Sequence, residues 1–338
     1  MAGLILDALG EVVLMRKAYG EALVELGRCR EDVVVLSADV QSSDFSYMFE
    51  EAFPRRFINV GIAEPALVDV AVGLANAGKV PIANTFGFLF ATRALEMVRT
   101  HLCFSRANVK LAAAYAGLSD SFDGPTHQTI ADLAILRSLP NMTIVAPADG
   151  RAVKMLLPQV AAWNGPVYFR LCRNEVPKIF SETYRPEIGK GIILMPGDDA
   201  TIIACGVMVS FALEAARRLA GEGVRARVVE MHTIKPLDAG LVARCARETS
   251  ALVTAEEHSI IGGLGGAVAE CLSDCCPVPL ERVGVRDTFT ESGPYPDLLQ
   301  KYGLSTEAIV EATRRVLARK GSVARTTSEN NAMQTICG

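Results

Sequence analysis

The sequence lacks the features that would mark a membrane protein or a nucleic-acid-binding protein. No apolar stretch reaches the roughly 18 residues that are needed to span a bilayer. The first basic residue is Arg16, so the apolar opening has no basic region of the kind that starts a signal peptide. The net charge is −4 and no long basic run is present. We therefore expect neither a membrane nor a nucleic acid as partner.

The sequence also lacks the cysteine pattern of a disulfide scaffold or a zinc site. Its nine cysteines are an odd number at irregular spacing, and most of them lie among apolar residues. Cys271, Cys275 and Cys276 are close together, but neither a histidine nor a second cysteine pair lies beside them. The pattern indicates buried, reduced thiols in a cytoplasmic protein, with no metal site supplied by this chain.

What the sequence does contain is enough apolar residues for two cores. It has 338 residues, of which 50% are hydrophobic and 21% are charged, and this length allows two domains. Continuous apolar strands are predicted near residues 32–37, 57–60, 80–84, 109–114, 143–146 and 167–170, with helices near 17–26, 64–77, 92–104, 129–136 and 151–162. This alternation predicts a doubly wound α/β domain, in which a mostly parallel sheet is covered on both faces.

A change in composition divides the chain. Six prolines and glycines between residues 175 and 198 break any long element and predict a linker or an edge hairpin. A smaller α/β domain is then predicted to begin with an apolar strand at residues 200–204. The predicted boundaries are listed in chain order: an N-terminal extension at 1–14, the first domain at 15–174, the linker at 175–198, the second domain at 199–320, and a polar, disordered tail at 321–338.

Two short runs carry the residues that could take part in catalysis. Residues 60–65 (Val-Gly-Ile-Ala-Glu-Pro) place Glu64 where a strand meets an apolar helix, so that apolar neighbours desolvate its carboxyl group. Residues 123–128 (Asp-Gly-Pro-Thr-His-Gln) place Asp123 and His127 around a Gly-Pro turn, so that both side chains project from a loop. Taken singly, a glutamate at a helix start, a capping aspartate or a structural histidine would be the ordinary interpretation.

The order and spacing of these runs, with Thr85 and Phe86 between them, resemble the pyrimidine-binding domain of transketolases. The resemblance continues to about residue 318 and implies the C-terminal half of such an enzyme, with a second, smaller transketolase C-terminal domain. Its activity would be transfer of a two-carbon ketol unit from a ketose donor to an aldose acceptor through a thiamine diphosphate carbanion. The alternatives are a deoxyxylulose-phosphate synthase-like enzyme, the beta subunit of a 2-oxoacid dehydrogenase, and a non-catalytic assembly or regulatory half.

The resemblance implies which residues would hold the cofactor. Glu64 would hydrogen-bond the pyrimidine ring nitrogen and drive the cofactor into its reactive form, for which an apolar setting suits a shared proton. Phe86 would stack on the pyrimidine, and Phe88 and Phe90 are further candidates because the second aromatic of the family is displaced here. Core packing is the alternative for these two rings. Asp39, just beyond a predicted strand end, would lie near the cofactor.

The resemblance also implies the substrate-binding residues. His127 would face the reacting carbons and move protons, and Asp123 would bind the hydroxyl group next to the carbonyl. Arg16, Ser43 and Arg173 fall where the family places ligands of a sugar phosphate, and guanidinium groups suit that task.

One position departs from the family pattern. Tyr115 stands twelve residues before His127, where the resemblance implies a further phosphate-binding histidine. A tyrosine can donate one hydrogen bond but carries no positive charge at neutral pH. Residues 121–122 are Ser-Phe, where Gly-Glu is common in the family. We therefore predict that the donor or the acceptor is an unusual sugar.

The chain has no Gly-Asp-Gly sequence, which in the family holds the diphosphate through Mg²⁺; the nearest string, at residues 197–199, is Gly-Asp-Asp. The predicted partner is therefore an N-terminal-half subunit that carries this motif and the Mg²⁺ ligands, in a heterotetramer with the cofactor between different chains. The glycine-rich residues 262–266 would be a structural turn rather than a phosphate loop. His232 and His258 are predicted to be structural as well.

Overall fold

The computed structural model describes residue 6 and residues 11–336, and for residues 322–336 it describes the backbone only. The strands are β1 Val12–Leu14, β2 Val33–Ser37, β3 Phe57–Asn59, β4 Val80–Phe86, β5 Lys110–Ala114, β6 Thr143–Val145, β7 Val167–Arg170, β8 Glu175–Pro177, β9 Ile192–Met195, β10 Ala200–Ala204, β11 Ala226–Glu230, β12 Thr233–Lys235, β13 Leu252–Ser259 and β14 Leu280–Val285. The helices are Met15–Cys29, Gln41–Asp44, Tyr47–Ala52, Glu64–Asn76, Gly87–Ala91, Leu95–Met97, Asp132–Arg137, Gly150–Ala162, Met208–Gly221, Ala239–Thr249, Leu264–Cys275, Tyr295–Lys301 and Thr306–Ile336. Short 3-10 turns lie at Pro54–Arg56 and Gly124–Thr126, and a π-helix lies at Val98–Phe104.

The larger sheet has seven strands in the order β12-β6-β7-β5-β4-β2-β3. Its six strands from the first half of the chain are parallel to one another. Every residue of β2, β5, β6 and β7 is buried, because helices cover both faces, and this is why most residues of these strands are apolar. The predicted doubly wound parallel sheet is confirmed.

The smaller sheet has five strands in the order β14-β13-β10-β11-β9. Its strands are parallel except for β9, which runs antiparallel to β11 along one edge. This strand lies within the segment predicted as a linker or edge hairpin. The short strands β1 and β8 form a separate antiparallel pair. The second α/β domain predicted from the sequence is therefore present.

The sequence did not predict that the second half would contribute a strand to the first sheet. Strand β12 pairs antiparallel with β6 and becomes the edge of the larger sheet. The two halves thus share a sheet edge as well as a packed interface, while the boundary residues assigned to the domains remain predictions.

Two further features differ from the sequence predictions. The helix predicted near 92–104 consists of the short helix Leu95–Met97 followed by the π-helix Val98–Phe104. The last helix continues to Ile336, through most of the segment predicted to be disordered. Of the predicted N-terminal extension, residues 1–5 and 7–10 lie outside the described residues, as do 337 and 338 of the tail. No helix in the described ranges is long and apolar enough to cross a membrane.

Candidate active site

The residues singled out in the sequence meet at one edge of the larger sheet. Strands β7, β5, β4 and β2 are parallel neighbours, so their carboxyl ends lie side by side. Asp39 follows β2, Phe86 ends β4, Tyr115 follows β5 and Arg173 lies just after β7. The helix that begins at Glu64 starts beyond β3, the next strand along the same edge.

Glu64 is a buried carboxylate with an open oxygen. It occupies the first turn of its helix, where the macrodipole favours a negative charge, and its side chain is only 2% exposed. Its Oε2 atom accepts no hydrogen bond from any described residue; the nearest cation is the Nε of the exposed Arg93, at 3.4 Å. A buried oxygen without a hydrogen bond costs free energy, so this geometry fits a group that a ligand would supply.

The aromatic residues separate into two environments. Phe86 is half-buried at the end of β4, and its ring stacks on Tyr115 with centroids 4.5 Å apart. Phe88 is also half-buried and meets the His127 ring edge-on, with a centroid distance of 5.2 Å. Both rings therefore border the candidate site, and their contact with a cofactor stays a prediction.

Phe90, by contrast, is fully buried and packs edge-on against Tyr168 in the core. Phe88 and Phe90 are two positions apart in the helix Gly87–Ala91, which places them roughly 200° apart around its axis. One ring therefore faces the site and the other faces the core. The prediction that Phe90 contacts the cofactor is wrong in this geometry, and the alternative of core packing applies.

The loop after β5 is held from the second domain. Gly117 adopts a φ of +59°, in the left-handed region, and exchanges backbone hydrogen bonds of 3.1 and 2.7 Å with Thr129. Glu257, from β13, accepts a 2.8 Å hydrogen bond from the Leu118 amide and a 3.0 Å hydrogen bond from the Tyr295 hydroxyl. Burial raises the pKa of Glu257 to about 7. Sequence reasoning missed this glutamate because its partner lies 139 positions away.

A buried ion pair supports the same domain contact. Asp132 accepts hydrogen bonds from Arg170 Nε at 2.7 Å and from the Tyr168 hydroxyl at 2.8 Å. Arg170 also donates to the Glu257 carbonyl at 2.9 Å. His258 Nε2 lies 3.8 Å from Asp132, and this histidine is fully buried. The predicted structural role of His258 is consistent with this position in the domain interface.

The glycine-rich turn is occupied by a carboxylate of the chain itself. The two oxygens of Glu256 accept hydrogen bonds from the amides of Leu264 (2.6 Å) and Gly265 (2.7 Å), at the start of the helix Leu264–Cys275. These are the amides that a bound phosphate would need. The turn is therefore structural, as the sequence predicts.

Asp123 and His127 lie on either side of the 3-10 turn Gly124–Thr126. Asp123 is exposed, and its side chain makes no capping hydrogen bond with the turn, so the capping alternative is not observed. His127 is half-buried, and its Nδ1 lies 3.0 Å from the Thr126 hydroxyl. Asp39 is exposed in a left-handed backbone conformation and accepts a 2.9 Å hydrogen bond from Asn59.

Arg16 and Arg173 both lie over the ring of Tyr115, the predicted specificity position. The guanidinium carbons of Arg16 and Arg173 are 5.4 and 4.9 Å from the centroid of the Tyr115 ring. Arg16 also donates to the Arg173 carbonyl at 2.8 Å and to the Ser43 carbonyl, so Ser43 meets the arginine through its backbone. Tyr115 is 5% exposed, and its hydroxyl lies 3.4 Å from Arg16 Nη1. The four residues predicted to bind one end of the substrate are thus brought together.

Sequence reasoning missed Asp120. This residue is fully buried, and its Oδ1 accepts a 2.9 Å hydrogen bond from Arg173. Burial and the neighbouring Asp123 carboxylate raise the pKa of Asp120 to about 7, although Arg173 opposes the shift. The available signal was an aspartate three residues before Asp123, close to the positions where the loop departs from the family pattern.

Comparisons with known families agree with the resemblance seen in the sequence. Residues 11–178 match the family described as the transketolase pyrimidine binding domain. Residues 189–309 match the transketolase C-terminal domain. Together these matches cover most of the chain and both sheets.

Individual relatives align over nearly their full lengths. The 6-deoxy-6-sulfo-D-fructose transketolase subunit SqwH of Clostridium sp. (strain MSTE9) is 41% identical over 306 residues, covering 90% of this chain and 95% of the relative. A putative transketolase C-terminal section of Methanocaldococcus jannaschii is 43% identical over 300 residues, covering 88% and 94%. A solved structure described as a split gene transketolase, inactive β4 tetramer, superposes with a TM-score of 0.86 at 48% identity, covering 92% of this chain and all of that one.

Proposed function

This chain belongs to the transketolase family, and we propose that it is the C-terminal subunit of a heteromeric transketolase, which transfers a two-carbon ketol unit from a ketose to an aldose. The observation that carries the proposal is the buried Glu64 carboxylate, whose Oε2 accepts no hydrogen bond from the described residues. It lies at the same sheet edge as Phe86 and His127. A non-catalytic descendant would have no need to keep this costly atom open.

The residues of this edge fit thiamine diphosphate. When bound, that cofactor supplies the electron sink that lets the bond beside a ketose carbonyl break. Glu64 Oε2, which is buried and accepts no hydrogen bond from the described residues, would form a hydrogen bond with a ring nitrogen of the cofactor. Phe86 and Phe88 offer ring surface for packing. Asp39 would lie near the cofactor at the end of β2.

The substrate would lie against the loop that carries His127. His127 would bind donor hydroxyl groups and move protons at the reacting carbons, and the exposed Asp123 would accept a hydrogen bond from the adjacent hydroxyl. Arg16, Arg173 and Tyr115 would contact the far end of the sugar. These residues would raise the rate by positioning the substrate, because the reacting atoms must be held in the correct orientation.

The proposal includes a second polypeptide. Mg²⁺ binds to carboxylate and phosphate oxygens. The Gly-Asp-Gly turn, whose aspartate would supply the carboxylate, is missing from this sequence. The solved relative is described as an inactive β4 tetramer. By analogy, we propose that this chain is inactive alone and active in a heterotetramer with two N-terminal-half subunits.

The test is a ketol-transfer assay on this chain, alone and assembled with a candidate N-terminal-half subunit, with thiamine diphosphate and Mg²⁺. The donors and acceptors include sugars with and without a phosphate. We expect activity in the assembly only, and we expect Glu64→Gln to lower it by about 10²-fold or more. The control is Glu96→Gln, which removes the same charge from an exposed position.

Two outcomes would contradict the proposal. One is full activity in the Glu64→Gln assembly, which would remove the assigned role of that carboxylate. The other is silence from a well-assembled, cofactor-loaded wild-type complex across all of the sugars. Such silence would favour a non-catalytic assembly or regulatory subunit.

A further inference from the structure

We propose that Asp120 adapts this site to sugars whose far end carries hydroxyl groups rather than a phosphate. The inference rests on the proposed function, because it concerns the substrate of the same site. It assigns Asp120 a positioning role: this residue acts on the far end of the substrate through Arg173.

The first step is that the two guanidinium groups are already engaged. Arg173 donates to the Asp120 carboxylate at 2.9 Å, with that carboxylate fully buried. Arg16 donates to the carbonyls of Arg173 and Ser43. Both cations also lie over the Tyr115 ring. A phosphate would have to compete with these internal partners for both arginines.

The second step concerns the net charge of the cluster that Arg16 and Arg173 form with their carboxylate neighbours. Arg173 pairs with Asp120, and Arg16 interacts with the buried Asp44, whose pKa burial raises to about 6. At slightly alkaline pH these two carboxylates cancel the two guanidinium charges. A sugar phosphate brings a charge of about −1.5 to −2, so the cluster offers it no net compensation. Tyr115 adds no positive charge either.

The third step is what the site offers to a neutral sugar. Asp120 Oδ2 is buried and accepts no hydrogen bond from the described residues, and Arg173 is the cation that pairs with this carboxylate. An uncharged hydroxyl group can accept a hydrogen bond from Arg173 without the repulsion from Asp120 that a phosphate would meet.

The test compares fructose, fructose 6-phosphate and a ketose that ends in a sulfonate as donors for the assembled, cofactor-loaded enzyme. We expect wild-type kcat/KM to be at least about ten-fold higher for fructose than for either anionic donor. Asp120→Asn keeps the size of the side chain and removes its charge. We expect this variant to lower KM for fructose 6-phosphate by about ten-fold with little change in kcat, because Arg173 becomes available.

The control is Asp32→Asn. This variant removes the same charge from the half-buried ion pair with Arg30, which precedes β2 and so lies at the opposite end of that strand from the site. We expect it to leave the donor preference unchanged. A gain in affinity for the phosphorylated donor cannot come from damage to the fold, so the KM change separates a specificity role from a structural one.

The outcomes distinguish this inference from the proposed function. A wild-type preference for either anionic donor would overturn the inference alone, and so would an unchanged donor ratio in Asp120→Asn. Even if the variant does not fold, a wild-type preference for an anionic donor would overturn the inference. No turnover of any donor by the assembled wild-type complex would overturn both the inference and the proposed function.

Discussion

Replacing Gly117 with alanine tests the contact that holds the substrate loop to the second domain. Gly117 has a φ of +59°, and a Cβ atom there would overlap the carboxyl carbon of Glu257. The Glu257 side chain would have to move, and its 2.8 Å hydrogen bond to the Leu118 amide would break. Gly78 is a matched control, because its φ is +83° and no atom lies within 4 Å of its added Cβ.

The magnitude follows from two contributions. A left-handed conformation costs an alanine about 1–2 kcal/mol at either position. Loss of a hydrogen bond to a charged group costs about 1.5–3 kcal/mol more, and only Gly117→Ala incurs that loss. We therefore expect Gly117→Ala to lower the free energy of unfolding by about 2.5–5 kcal/mol, against about 1–2 kcal/mol for Gly78→Ala.

The assay is urea unfolding above pH 8, where Glu257 is ionised, followed by the fluorescence of Trp163, the single tryptophan. The difference between the two variants isolates the contact with Glu257, since the backbone cost is common to both. Equal destabilisation by the two substitutions would refute the reasoning. It would mean that Glu257 contributes nothing to holding the loop.

Two further predictions concern buried titratable groups. Asp132→Asn leaves Arg170 buried without its partner at 2.7 Å, so we expect the free energy of unfolding in urea to fall by about 3–5 kcal/mol. The control Glu270→Gln, at an exposed pair with Arg137, should lower it by less than about 1 kcal/mol. Similar losses in the two variants would contradict this prediction. Burial lowers the pKa of His232 to about 4. Because His232 in the unfolded chain, with a pKa of about 6.5, binds the proton first, this residue alone should lower the free energy of unfolding by about 3 kcal/mol between pH 6.5 and 4. The buried carboxyl groups of Asp44 and Glu230, whose pKa burial raises, act in the opposite direction. His232→Gln should flatten that part of the profile, and an unchanged slope would contradict the assignment.

The interior strands of the larger sheet could be predicted because both of their faces are buried. The prediction for 167–170 matches β7, and those for β4 and β5 are within two residues of the observed bounds. Strands β9 and β12 could not be predicted. They are four and three residues long and form sheet edges, so their place depends on distant partners rather than on a local pattern.

The residues of the candidate site also divide into those that could be predicted from the sequence and those that could not. Glu64, Asp123 and His127 could be found because each lies in a short run with distinctive spacing. Asp120 could not be assigned, since its ion pair with Arg173 joins positions 53 residues apart. Phe90 was misassigned because adjacent aromatics along the sequence diverge once the backbone turns from strand into helix.

The central claim is that this chain supplies one half of a composite cofactor site. Calorimetric titration with thiamine diphosphate and Mg²⁺ tests it most directly, first on this chain alone and then on its assembly with an N-terminal-half subunit. We expect no saturable binding to the chain alone and one bound cofactor for each copy of this chain in the assembly. Stoichiometric binding by the isolated chain would contradict it.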